Sequence, residues 1–149
     1  MGNEWMRIDS ETFEKHVRRL AAENPKYVYD NTNGCNYVRD GDNGDWCGDC
    51  LIGRALIACG VPGMQLRAID TARPIPGDGL IIDGQARTVL QHYRVSAGVA
   101  EWAEIVQQHQ DHRHSWGDAV RAADRLVLVA EPGRAINVRR SVHQYDRAS

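Results

Sequence analysis

The chain has 149 residues, of which 42% are hydrophobic and 26% are charged, and its formal net charge is -2. A chain of this length and composition can bury a core of its own, so disordered, collagen-like and strongly basic nucleic-acid-binding proteins do not fit it. No apolar run approaches the roughly 20 residues of a membrane helix, and the first residues lack a signal-peptide pattern, so we expect a globular protein of the cytoplasm.

The first predicted element is a helix over residues 10–24. Asp9 or Ser10 can cap its first turn, and Pro25 prevents the helix from continuing. Its apolar residues recur at the spacing that places them on one helical face. These residues are Phe13, Val17 and Leu20.

Two stretches that favour β-structure follow, at residues 27–29 and 36–38, and Asn33 with Gly34 between them forms a strong hairpin signal. We therefore predict a small N-terminal β-hairpin from these two stretches. Residues 40–49 contain four aspartates and three glycines, a composition that predicts a loop with a local charge of -4.

A second helix is expected after Asp49, which is placed to cap it, and Gly60 ends it. Pro62 can start a short helical segment near residues 64–69, whereas the prolines and glycines of residues 73–79 predict a loop. The second helix has an apolar face that consists of Leu51, Ile52, Ala55, Leu56 and Cys59.

Three further helices are predicted from apolar residues at helical spacing. Their apolar residues are Ala86, Val89, Leu90 and Tyr93; then Val99, Trp102, Ala103 and Val106 after a Ser96 cap; then Trp116, Val120, Ala123 and Val127 after Ser115. We expect an α+β fold, mostly α, in a single helical domain over residues 1–133, with a basic segment over residues 134–149.

Cys47 and Cys50 have the Cys-X-X-Cys spacing of dithiol redox sites and lie just before a predicted helix, whose dipole favours a thiolate. The five residues from Trp46 resemble the thioredoxin motif WCGPC, with Asp49 in place of the proline. One hypothesis is therefore a thiol-disulfide oxidoreductase in which Cys47 attacks and Cys50 resolves. The simpler interpretation is a turn at a helix start with two incidental thiols.

A second hypothesis is a structural zinc site, because two thiolates at this spacing can bind one tetrahedral metal ion. The histidines near residue 110 can also be read as solvated side chains at a helix end. Candidate zinc ligands are Cys47, Cys50, His109, His112 and His114, with Cys35 as a further thiol. The same histidines or His92 are candidate bases for a nucleophilic Cys50, although Cys50 also fits a buried apolar position.

The aspartates of residues 40–49 superficially resemble a calcium loop, but Leu51 stands where an EF-hand needs glutamate. The better-defined motifs of hydrolases, nucleotide-binding proteins and metalloproteases are absent from the sequence. Residues 134–149 contain four arginines and one tyrosine, which predict a solvated or partner-binding segment rather than a nucleic-acid reader. These residues are Arg134, Arg139, Arg140, Tyr145 and Arg147.

The order of several motifs is similar to a family of small proteins of actinobacteria and their bacteriophages. The similarity spans residues 27–124 and combines a CxIGxAL-like helix with a late Trp-Gly-x-Ala helix. The residues that carry it are Cys35 to Val38, Cys50 to Leu56, Gly60 to Pro62, Gln110, Asp111, Trp116 to Val120, Ala122 and Ala123. The family has no assigned activity, so the resemblance implies no catalytic residue.

Together these patterns predict a non-enzymatic accessory protein without a cofactor that binds another protein or a small ligand. The thiol-disulfide and zinc hypotheses remain alternatives. Aromatic and charged side chains dominate binding energy in many interfaces. The candidate binding residues are therefore Trp46, Asp40, Asp42 and Asp45, with Trp5 as a further aromatic.

Overall fold

A computed structural model describes residues 6–32, 34–41 and 45–126 of the chain. In these ranges, helices and one two-stranded antiparallel sheet share a hydrophobic core, which confirms the α+β, mostly α class. The elements are α1 (Ser10–Glu23), β1 (Val38–Asp40), β2 (Trp46–Gly48), α2 (Leu51–Ala58), α3 (Gly63–Asp70), α4 (Ala86–His92), α5 (Ala97–Asp111) and α6 (Trp116–Leu126). None of the helices described here combines the length and apolar character needed to cross a membrane.

Helix α1 begins and ends close to the predicted residues. Asp9 is its N-cap, and the Asp9 carboxylate accepts a hydrogen bond from the Thr12 amide at 2.9 Å. Phe13 and Val17 are completely buried, as the apolar pattern predicts. The helix therefore packs one face on the core and leaves its charged face to solvent.

The β-hairpin exists, but the prediction of its strands was wrong. Val28 forms an isolated bridge with Ser115 near α6 instead of pairing with residues 36–38. The Tyr29 ring is buried, and its hydroxyl accepts from the Asn36 amide at 3.1 Å. A tertiary contact of the Tyr29 side chain thus joins the two stretches where a backbone ladder was expected.

Strand β1 starts at Val38, the last residue of the second predicted β-stretch, whereas β2 lies in the stretch that was predicted to be a loop. In the antiparallel pair, Val38 is opposite Gly48 and Asp40 is opposite Trp46. The Gly41 amide donates to the Asp45 carbonyl at 2.6 Å and closes the turn. The predicted turn residue Asn33 and the candidate binding residue Asp42 lie outside the described residues.

Helix α2 is capped by Cys50 rather than by Asp49, which corrects the predicted cap. The Cys50 sulfur accepts from the Gly53 amide at 3.3 Å, whereas the Asp49 carboxylate accepts from the Tyr29 hydroxyl at 2.8 Å. A side chain at Gly53 would meet the Tyr37 carbonyl, so only glycine allows this close approach. The apolar face is buried as predicted, through Leu51, Ile52, Ala55 and Leu56.

Helix α3 begins directly after Pro62, as expected, and its last residue hydrogen-bonds to the start of the hairpin. The Asp70 carboxylate at its end accepts from the backbone amides of Tyr37 and Val38 at about 3.1 Å. Residues 73–79 form turns without regular structure, as predicted. The position of β1 is thereby fixed relative to α3.

The last three helices confirm the predicted periodicity, and α5 packs on both α4 and α6. The completely buried Gln110 of α5 accepts hydrogen bonds from the Leu51 amide at 2.8 Å and from the Trp116 indole at 3.2 Å. One amide side chain therefore joins α2, α5 and α6. Val127 and the basic segment 134–149 lie outside the described residues.

Candidate functional site

A groove with a volume of about 660 Å³ lies between the hairpin, the first turn of α3 and the turn that follows residue 75. We call it the Trp46 groove. Its lining residues are Asp45, Trp46, Pro62, Gly63, Met64, Gln65 and Pro76. A volume of this size falls in the range of small-molecule and side-chain-binding sites.

The groove exists because α3 starts directly against β2. A β-carbon at Gly63 would lie 2.6 Å from the Trp46 β-carbon and 3.0 Å from its carbonyl oxygen. Only glycine permits this separation without a shift of the backbone. The contact between Gly63 and Trp46 therefore sets the width of one end of the groove.

Arginine from the same helix covers part of Trp46. The Arg67 guanidinium carbon lies 4.7 Å from the centre of the indole ring, a distance typical of a cation–π contact. Trp46 is only partly buried. The ring is thus positioned by contacts on α3 while it still lines the groove.

Two residues at the C-terminal end of α4, His92 and Tyr93, contact segments on opposite sides of the groove. The Tyr93 hydroxyl donates to the Gln65 side-chain oxygen at 2.7 Å, and burial raises the Tyr93 pKa so that this donor stays protonated. The His92 Nε2 atom lies 3.3 Å from a carboxylate oxygen of Asp78, in the turn that contains Pro76. Burial lowers the pKa of His92, and the nearby Asp78 carboxylate partly opposes this shift.

The groove exposes apolar surface beside a single charged lining residue. Met64, on the first turn of α3, is 64% exposed. Asp45 is exposed and is the one charged side chain among the lining residues. The groove can therefore accept an apolar group without burying a charge of its own.

Three of the candidate binding residues fall in this region. Trp46 and Asp45 line the groove, and Asp40 is opposite Trp46 across the hairpin. Met64, Gln65 and Pro76 were not identified from the sequence, because they come from separate segments that only the packing of α3 on β2 brings together. The one available signal was Met64, which lies off the apolar face of its short helix.

The two cysteines of the Cys-X-X-Cys sequence have different environments. Cys47 is partly exposed on β2, whereas Cys50 is completely buried at the start of α2. Burial raises the pKa of Cys50 to about 12, although hydrogen bonds from Gly53 and Gln107 oppose the shift. At neutral pH the Cys50 sulfur is therefore a protonated helix cap, and both thiols are free.

The histidine rings near residue 110 form hydrogen bonds within their own helix. Nδ1 of His109 donates to the Ile105 carbonyl at 3.0 Å, and Nδ1 of His112 donates to the Gln108 carbonyl at 2.7 Å. Within the described residues, no three histidine, cysteine or acidic side chains are grouped to hold a metal ion. The structure thus does not assemble Cys47, Cys50 and these histidines around one point.

Several residues of the motifs that carry the resemblance lie at the start of α2. Gly53 contacts the Tyr37 backbone, the Cys50 amide donates to the Asn36 carbonyl at 3.2 Å, and Gln110 joins Leu51 to α6. These contacts form packing and hydrogen bonds inside the core. These contacts explain how Cys50, Gly53 and Gln110 support the fold.

Comparison with known proteins adds no relative: no family model, curated protein or solved structure matches the chain.

Proposed function

We propose that this protein is a non-enzymatic accessory protein that binds a segment of another protein in the Trp46 groove. The observation that carries the proposal is the exposed apolar surface of Met64 and Trp46 in a groove whose walls are fixed by Gly63, Tyr93 and His92. A preformed groove loses little conformational freedom on binding, which favours affinity. The family resemblance extends the proposal to a cytoplasmic protein of an actinobacterium or its bacteriophage.

The thiol environments support binding over thiol-disulfide chemistry. The alternative mechanism needs Cys50 to act as the resolving thiol, yet its sulfur is buried and its pKa is about 12. Resolution proceeds through the Cys50 thiolate, and burial disfavours that thiolate at neutral pH. These observations weigh against the oxidoreductase hypothesis.

Exposed side chains next to the groove support a protein partner over a small ligand. Met64 and Leu80 are both more than half exposed, and Leu80 lies in the same turn region as Pro76. Methionine is common at surfaces that bind several different peptides, because its flexible side chain adapts to them. A peptide segment can cover such a surface, whereas a small ligand enclosed in the groove would leave it exposed.

The test is a selection of displayed random peptides on the immobilised full-length protein. Binding of the enriched peptides is then measured for Met64→Glu and for the control Ile81→Glu, which places the same charge on a comparably exposed apolar residue outside the groove lining. We expect Met64→Glu to weaken binding at least about tenfold, and Ile81→Glu to leave it unchanged. Equal effects of the two variants, or no enriched peptide, would contradict the proposal.

Native mass spectrometry of the purified protein tests the alternative that the groove binds a small ligand instead of a peptide. An adduct that Met64→Glu removes and Ile81→Glu retains would assign the groove to a small molecule instead of a peptide. A mass that corresponds to the bare chain is the expected result.

A further inference from the structure

We propose that the segment recognised by the Trp46 groove presents an apolar side chain directly beside a lysine or arginine, with the cation at Asp45. This inference rests on the proposed function and specifies the chemistry of the partner. It follows from the two kinds of surface that meet at the groove: apolar side chains in its lining and exposed carboxylates at its edge.

The lining accounts for the apolar part of the segment. Trp46, Pro62, Met64 and Pro76 contribute apolar groups from the hairpin, from α3 and from the turn after residue 75. Burying apolar surface is the main favourable contribution to such binding. The Gln65 side-chain oxygen already accepts from the Tyr93 hydroxyl, which leaves the lining with fewer polar partners for a polar side chain in the same position.

The carboxylates account for the cation. Asp45 lines the groove and Asp40 lies opposite Trp46 on the neighbouring strand, and both are exposed. Neither forms an ion pair within the described residues, whereas Asp49 contacts Tyr29 and lies 3.7 Å from Arg39. Residues 40–49 contain four aspartates and no lysine or arginine. Among the described residues, no cation is paired with the carboxylates of Asp40 and Asp45 at the edge of the groove.

Two features of α3 favour the opposite preference, for a partner segment that carries a negative charge. The first turn of α3 has no side-chain cap, and uncapped amides at a helix start attract anions. Arg67 on the same helix is already stacked on Trp46. The exposed Asp45 carboxylate outweighs these contributions for a segment that approaches from solvent, because it is the charged group that lines the groove.

The experiment compares two displayed peptide libraries of equal length with one central hydrophobic position. Two arginines flank this position in one library and two glutamates flank it in the other. Both are selected on the full-length protein, on Asp45→Lys, and on Glu11→Lys, a control that makes a similar charge change on α1. We expect the arginine library to be enriched about fivefold or more on the wild type and on Glu11→Lys, and the preference to reverse on Asp45→Lys.

The outcomes distinguish this inference from the proposed function. Equal enrichment of both libraries, or enrichment of the glutamate library, overturns the inference. If the selected peptides still lose affinity with Met64→Glu and not with Ile81→Glu, the groove remains the binding site. If they bind all these variants equally, or if neither library is enriched, the proposed function fails together with the inference.

Discussion

Replacement of Gly63 by alanine tests whether the contact between α3 and β2 forms the groove. The added β-carbon would lie 2.6 Å from the Trp46 β-carbon, about 0.8 Å closer than ordinary van der Waals contact. Neither group can rotate away, because a β-carbon is fixed to its backbone. The start of α3 must therefore move away from the hairpin.

The expected magnitude follows from two opposing contributions. Overpacking of a close contact costs about 1–3 kcal/mol, and alanine regains up to about 1 kcal/mol of the backbone entropy that glycine loses in a helix. We expect Gly63→Ala to lower the free energy of unfolding by about 1–2 kcal/mol, which is about 3–6 °C in the melting temperature for a chain of this length.

Gly84→Ala is the matched control. A β-carbon at Gly84 would meet nothing closer than the Ile69 methyl group at 4.0 Å, so this variant should be as stable as the wild type or slightly more stable. Thermal unfolding followed by circular dichroism measures both variants, and the selected peptides report the groove. If Gly63→Ala has the same melting temperature as the control and binds the peptides normally, the structural argument for the groove is refuted.

Three further predictions concern the core and its titratable groups. Gln110→Leu should lower stability by about 2–4 kcal/mol in urea, because it leaves the Leu51 amide and the Trp116 indole buried without an acceptor; an unchanged midpoint would contradict this role. In the native protein, Cys50 should resist iodoacetamide at neutral pH and react only after unfolding, as mapped by mass spectrometry; rapid native labelling would contradict the burial of its sulfur. Since burial lowers the folded-state pKa of His92, the unfolded chain binds more protons below pH 6.5, and this contribution to stability is complete above that pH and lost as the pH falls. His92→Gln should make the urea midpoint less dependent on pH between about 7.5 and 5, and an identical dependence would exclude His92 as its source.

Helices were predictable from the sequence because their apolar residues recur at helical spacing, and several of them also have local start or stop signals. Asp9 and Ser96 act as the predicted caps, and Gly60 has the positive φ of a helix end. Such signals depend on residues within a few positions of each other. The predicted helices form in the folded protein because packing in the core requires only that each helix presents its apolar face.

The hairpin was misplaced because its strands depend on distant contacts. The stretch at residues 27–29 has high β-propensity, yet Tyr29 is used for a buried ring and a hydroxyl bond to Asn36. The actual strands have three residues each, and Asp70 on α3 anchors the first of them. Propensity over so short a stretch is weak evidence when tertiary hydrogen bonds are available.

The candidate site was predictable only in part, for the same reason. Asp45 and Trp46 lie in one recognisable cluster, but Met64 and Pro76 join them only because Gly63 packs on the hairpin. A glycine before an amphipathic turn has many uses in a sequence. Its role as a close contact is visible only when the partner across the contact is known.

The groove and the hydrophobic core consist of different residues. Several residues of the sequence pattern described above, including Cys50, Gly53 and Gln110, pack at the start of α2, and of the groove lining only Pro62 belongs to that pattern. Substitutions at Asp45, Met64 or Pro76 can therefore change the surface of the groove without disturbing the hydrogen bonds of Gln110 in the core. Chains with the same core pattern and different residues at these positions should fold alike and select different partner segments, since the specificity of a groove is set by its exposed lining and rim charges.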